Sequence, residues 1–207
     1  MKVLMINGSP HEKGCTYTAL GEIASALHTY GAEYEIVHIG SSVVHGCKAC
    51  KACASSGKCA YDDDIVNAII EKAQEADGFV FGSPVHYAAP AGALCAVLDR
   101  CFFAGARCFR GKPAAAVVSC RRAGATAALD RLNKYFTINH MPVVSAGYWN
   151  MVHGSSPQQV KRDLEGMQVM RALGTNMAWL IKCIKTGEEN GLARPEPEDK
   201  IWTDFMG

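Results

Sequence analysis

No stretch of this 207-residue sequence approaches the roughly eighteen consecutive apolar residues that a membrane-crossing helix needs. The apolar run at the start, Val3 to Ile6, stops at Asn7. It is too short for the core of a secretory signal, so no membrane association and a cytoplasmic location are expected. Charge is not in excess either. Lys and Arg number 21 against 20 Asp and Glu, a formal net charge of +1, and no broad basic surface argues for nucleic acid. Nucleotide and hydrolase motifs are missing too. A P-loop fails because five residues separate Gly8 from Gly14 and Cys15 stands where lysine is required; Gly8 also lacks the second glycine of a G-x-G-x-x-G fingerprint. No serine lies in G-x-S-x-G, and no His–acid pair can be set beside Cys120, which argues against a hydrolase. Without internal repeats or low-complexity linkers, the chain reads as one domain, 1–190, followed by a tail, 191–207. Trp202 and Phe205 suggest that the tail docks on the domain or on a partner subunit.

What the sequence has in plenty is cysteine. A chain of this length can bury enough apolar surface without a disulfide framework, so the ten cysteines need another reason. Cys95, Cys101, Cys108, Cys120 and Cys183 lie mostly in apolar contexts, where a thiol is a small hydrophobe. Cys47, Cys50, Cys53 and Cys59 crowd into thirteen residues with the pattern C-x2-C-x2-C-x5-C, flanked by Lys48, Lys51 and Lys58. Lysines beside thiols favour the thiolate, although they also suit a solvated face.

Apolar runs at 3–6, 33–39, 78–82, 114–119 and 142–147 predict five strands. Several are continuous, as in strands covered on both faces, whereas the second alternates and suits an edge. Helical spacing fills the gaps: Leu20, Ile23 and Leu27; Ile65, Ile69 and Ala73; Leu94, Val97, Leu98 and Cys101; Leu129, Leu132 and Phe136. A last helix is expected to run unbroken from Pro157 past Ile184, capped by Ser156 with Gln159 completing a capping box. Gly166 and Gly174 would weaken it by about 1 kcal/mol each. Strands alternating with helices predict a parallel α/β sheet between helical layers.

Three loops leave the carboxyl ends of such strands: NGSPHEKGCT (7–16), SPVHYAAPAG (83–92) and SCRRAGAT (119–126). In the first, N–H groups of residues 14–18 with the hydroxyls of Ser9, Thr16 and Thr18 could surround a phosphate at a helix N-terminus, with His11 and Lys13 adding charge. Alternatively, Thr16 simply caps the helix. A phosphate on the first loop and a planar ring between the other two would make a flavin mononucleotide site at the switch point of the sheet.

These stretches, with NHMPVVSAGYWNMVHG (139–154), resemble the flavodoxin-like NADPH-dependent FMN reductase family over roughly the first 155 residues. The resemblance implies a three-layer sandwich with a five-stranded sheet of order 2-1-3-4-5. It implicates Ser9, His11, Cys15, Thr16 and Thr18 at the FMN phosphate. Pro84, Val85, His86 and Tyr87 would lie along the ribityl chain and ring, and Ser119, Arg121, Arg122 and Gly124 at its border. Relatives usually carry arginine where His11 stands and asparagine where Cys15 stands, so a weaker hold on the phosphate is expected. The cysteine spacing is similar to that of the iron–sulfur flavoproteins, where a [4Fe–4S] cluster passes electrons to FMN. Zinc and a metal-free thiol loop remain alternatives.

The implied activity takes hydride from NADPH or NADH and passes electrons to free flavin, a quinone or another small electron-poor aromatic acceptor. Tyr148 and Trp149, after the expected fifth strand, would shape the open face, and a homodimer or higher oligomer is expected. An electron carrier serving ferredoxin is the nearest alternative; a cofactor-free thiol sensor or structural protein belongs to a different class.

Overall fold

Val3 to Ile6 carry no polar side chain, so a strand made from them must be covered on both faces, and the computed structural model, which describes residues 1–199, 201–203 and 205, shows how. In chain order the elements are β1 (Lys2–Asn7), α1 (Cys15–Thr29), β2 (Glu33–His38), α2 (Cys53–Ser56), α3 (Val66–Glu75), β3 (Gly78–His86) and β4 (Ala89–Pro90). They continue with α4 (Gly92–Ala104), α5 (Ala106–Phe109), β5 (Ala114–Cys120), α6 (Ala125–Ile138), β6 (Met151–His153), α7 (Pro157–Val160) and α8 (Leu164–Glu189). The parallel sheet has the order β2-β1-β3-β5-β6, and the short β4 pairs antiparallel with the end of β3. Leu4, Ile6, Phe79, Phe81, Ala116 and Val118 face a core closed by α3, α4 and α6. Their neighbours Val3, Met5, Val80, Ala115 and Val117 face a second core closed by α1 and α8. The result is the three-layer flavodoxin-like sandwich, with the more exposed β2 at an edge as its alternation predicts.

Two element boundaries differ from expectation. Of the segment 142–147, only Val143 pairs, as an isolated bridge to Ala114. The chain then leaves the sheet through exposed Gly147, Tyr148 and Trp149 and returns as β6 beside Val118 to Cys120. Met151 and Val152 are better strand residues there because each enters one of the two cores. The expected single final helix is also broken. Ser156 caps α7 as predicted, its hydroxyl accepting from Gln159 N at 3.3 Å. Asp163 then starts a new helix, its Oδ1 accepting from Gly166 N at 3.0 Å and its Oδ2 from His153 N at 2.7 Å. That carboxylate ties the end of β6 to the start of α8, which outweighs continuing the helix.

Gly174 has a packing role within α8. A Cβ there would lie 2.7 Å from Ile23 O and 2.8 Å from Ala26 Cβ, so its absence lets α1 and α8 approach closely. Among the described residues no helix is long and apolar enough to cross a membrane. Arg194, Pro195 and Pro197 of the tail line a cavity of about 520 Å³ with Arg107, Arg110 and His140. Trp202 and Phe205 remain exposed, so the domain does not bury these rings; residues 200, 204, 206 and 207 of the expected tail lie outside the described residues.

Candidate functional site

The loops after β1, β3 and β5 emerge side by side because these strands are neighbours in the sheet. Asn7 shapes the first loop: its Nδ2 donates to Glu12 O at 2.9 Å and its Oδ1 accepts from Ser9 N at 3.1 Å. Gly8 N donates to Gly82 O at 2.8 Å, binding the first loop to β3. Ser9 is buried, and its Oγ accepts from His11 N at 3.1 Å while its carbonyl meets His38 Nε2 at 2.7 Å. The N-cap of α1 is Gly14, with no side-chain cap, so Thr16 is not the cap. The N–H groups of the first helical turn, Cys15 to Tyr17, therefore lack intrahelical acceptors and form the positive end of a 15-residue helix.

Thr16 is 1% exposed, and its Oγ1 lies 2.9 Å from Ser119 Oγ at the end of β5. One proton is used between these two hydroxyls and one remains for a ligand. Thr18 instead donates to Gly14 O at 3.0 Å, within its own helix, and so has no proton to offer a phosphate. Cys15 Sγ lies 3.7 Å from Gly154 O, and burial raises its thiol pKa, keeping it neutral. His11 and Lys13 are exposed at the loop's mouth.

Beyond half-buried Pro84 and Val85, His86 and Tyr87 are exposed. Tyr87 and Ala88 turn the chain with φ of 50° and 60°, conformations that cost a side-chain-bearing residue energy and cluster at functional loops. Ser83 Oγ accepts from Ala91 N and donates to Pro84 O, both at 2.9 Å, which holds that turn. Gly124 begins α6 with φ of 87°. A Cβ there would meet Ala88 Cα at 2.8 Å and Val85 Cγ1 at 3.2 Å, so the second and third loops touch through a glycine. Arg121 and Arg122 extend into solvent beside this contact. Tyr148 and Trp149 form an edge-on pair, 4.7 Å between centroids, but they precede β6 rather than follow it. They therefore do not join the loops leaving the carboxyl ends, contrary to the expectation from a strand at 142–147.

The four clustered cysteines form a second locus after β2. Cys47, Cys50, Cys53 and Cys59 all line one cavity of about 20 Å³, together with Lys48, Tyr61, Arg100 and Phe103. Lys51 lines it too, whereas Lys58 does not. Ala49 and Lys51, with φ of 52° and 61°, turn the loop twice between the first three thiols. Burial raises the pKa of Cys53, against a smaller opposing effect of a backbone hydrogen bond. Among the described residues no three metal-binding side chains converge as ligands of one ion. The four thiols thus border one small space on a single loop without forming the ligand set of one ion. No disulfide joins any two of the cysteines; Cys183 is exposed rather than in an apolar setting.

Sequence reasoning missed what surrounds Cys59. Arg100, 1% exposed, donates from Nε to Cys59 Sγ at 3.1 Å, from Nη2 to Tyr61 O at 3.0 Å and from Nη1 to His45 O at 3.3 Å, and its Nη1 pairs with Asp64. Burial opposes its charge, but the bonds and charges of Asp64 and Cys59 outweigh that and raise its pKa. Asn67 binds both backbone groups of Cys59, at 2.8 and 3.0 Å. The available signal was an arginine between core residues Val97, Leu98 and Cys101 of α4, a position where charge needs a partner.

A groove of about 820 Å³ between α1 and α7–α8 is lined by Lys13, Tyr17, Thr18, Lys161, Met167 and Arg171 among others. With residues 9–18 of the first-loop site it shares Lys13, Tyr17 and Thr18, and residues 83–92 and 119–126 are not in its lining.

A profile described as NADPH-dependent FMN reductase matches residues 1–156. The chain is 32% identical over 194 residues to an iron-sulfur flavoprotein of Methanocaldococcus jannaschii, covering 89% of this chain and 100% of that one. It is 26% identical over 193 residues to an iron-sulfur flavoprotein of Methanosarcina thermophila, covering 91% and 100%. Its fold is shared by an NAD(P)H:quinone oxidoreductase from Methanothermobacter marburgensis, with TM-score 0.66 at 16% identity over 86% of this chain and 98% of the other.

Proposed function

The chain belongs to the NADPH-dependent FMN reductase family, and from that membership we propose that it is an FMN-dependent oxidoreductase. It takes reducing equivalents from NADPH or NADH and delivers them to a flavin, a quinone or a similar electron-poor acceptor. The observation that carries this reading is the uncapped N-terminus of α1 facing two glycine-joined loops at the ends of neighbouring strands. Bound FMN supplies the hydride and electron chemistry. First-turn N–H groups of α1, the Ser9 loop and the spare proton of the Thr16–Ser119 pair hold its phosphate end. His11 and Lys13 stand exposed at the mouth of that loop, within its reach. Pro84 to Tyr87 flank the ring from one side, and Ser119 to Gly124, with Arg121 and Arg122, from the other.

Anaerobic stopped-flow mixing with NADPH and NADH tests the reading. Either nucleotide should bleach the visible flavin band, and failure of both while reduced ferredoxin succeeds would replace this proposal with an electron carrier. That second reading is favoured by the cavity lined by four thiols, which we propose holds a [4Fe–4S] cluster on Cys47, Cys50, Cys53 and Cys59. Exposed Leu164 and Trp179 on α8 and the Tyr148–Trp149 pair suit burial against a second copy, and we propose at least a dimer.

A further inference from the structure

The four cysteines are held unequally. Cys47 and Cys50 are exposed on a loop with two left-handed turns, and Cys53 Sγ has only a 4.0 Å contact with Phe103 O. Cys59 is immobilised three ways: by Asn67 at its N–H, by Asn67 at its carbonyl and by Arg100 at its sulfur. The arginine comes from α4, 41 residues away in sequence. Its acceptors, His45 O, Cys59 Sγ, Tyr61 O and Asp64, all belong to the segment that carries the cysteines, which is therefore wound about one buried guanidinium. Asp64 also accepts from Val66 N through Oδ1 at 3.1 Å, so the carboxylate is held in turn by the start of α3.

We propose that Arg100, clamped by Asp64, is a positioning residue for Cys59: it presents this sulfur as the pre-set ligand of the cysteine cavity and raises the reduction potential of an iron–sulfur cluster held there. The inference rests on the cluster reading above. A ligand already oriented by an outer partner loses less freedom on binding, and such partners sustain metal affinity. A hydrogen bond to a ligand sulfur stabilises the more negative, reduced state of a cluster and so moves its potential upward. A loop strut alone would explain the bonds to His45 and Tyr61, but not the directed Nε–H on sulfur.

Arg100→Met combined with Asp64→Asn tests this, because it removes both charges while asparagine can keep the bond to Val66 N. Arg100→Lys is read the same way and keeps a charge opposite Asp64. Wild type and both variants are purified anaerobically, reconstituted with iron and sulfide, and compared for iron content, cluster potential by an EPR-monitored titration, FMN potential and rate of iron loss in air. The expected result is a lower cluster potential and faster iron loss in the variants, with FMN potential unchanged. Variants that match wild type in cluster potential and iron loss overturn the role of Arg100 and leave the cluster standing. Wild type that takes up no iron or sulfide overturns both.

Discussion

Gly124→Ala should separate the two loops proposed to flank the ring. The residue adopts φ of 87°, where a Cβ costs about 1–2 kcal/mol. The same Cβ would lie 2.8 Å from Ala88 Cα, 3.0 Å from Ala88 Cβ and 3.2 Å from Val85 Cγ1. The nearest of these is backbone, and Ala88 itself has φ of 60°, so the neighbour has little room to yield. Overpacking of this kind costs about 1–3 kcal/mol, giving roughly 2–5 kcal/mol in all. If the loops stay together the loss appears in folding; if they part, it appears in flavin binding. Urea unfolding of flavin-free protein and an FMN fluorescence titration measure the two contributions separately. A variant equal to wild type in both would refute the argument that the loops meet through this glycine.

Two helical glycines should respond with opposite signs. Gly21→Ala, whose Cβ meets nothing within 4 Å, should gain up to about 1 kcal/mol in thermal unfolding, whereas Gly174→Ala should show a net loss of up to about 2 kcal/mol against Ile23 O. Thr16→Val should destabilise flavin-free protein by about 1–3 kcal/mol by stranding the Ser119 hydroxyl, and Thr16→Val with Ser119→Ala should recover much of that while still weakening FMN binding. Burial alone would raise the pKa of Asp77, but bonds from Lys185 and Lys2 N outweigh it and lower the value. Its contribution is therefore complete above the unfolded carboxylate range near about pH 4 and lost as pH falls through the lower folded value. The stability gap between wild type and Asp77→Asn, followed by urea unfolding, should be widest near neutrality and close in acid.

Much of the architecture follows from local pattern. Runs such as Val3–Ile6 and Ala114–Val118 can be stable only as strands covered twice, and the intervening periodic segments supply the covering helices, so a parallel sheet and loops converging at its carboxyl end are written in residue order. The cysteine spacing likewise marks a sulfur-rich segment, although thirteen extended residues can span about 40 Å, and only the fold brings the four sulfurs to one cavity. Other features depend on contacts between distant segments, which no local pattern encodes. Asp163 breaks the final helix because His153 N lies beside it, and Gly174 is required because α1 crosses there. Thr16 lies inside α1 rather than at its cap, and its hydroxyl partner is Ser119, a residue 103 positions away. Arg100 reads as one charge in an apolar helix until the fold wraps the segment from His45 to Asp64 around it, since a buried guanidinium is stable only where tertiary packing brings acceptors to its donors.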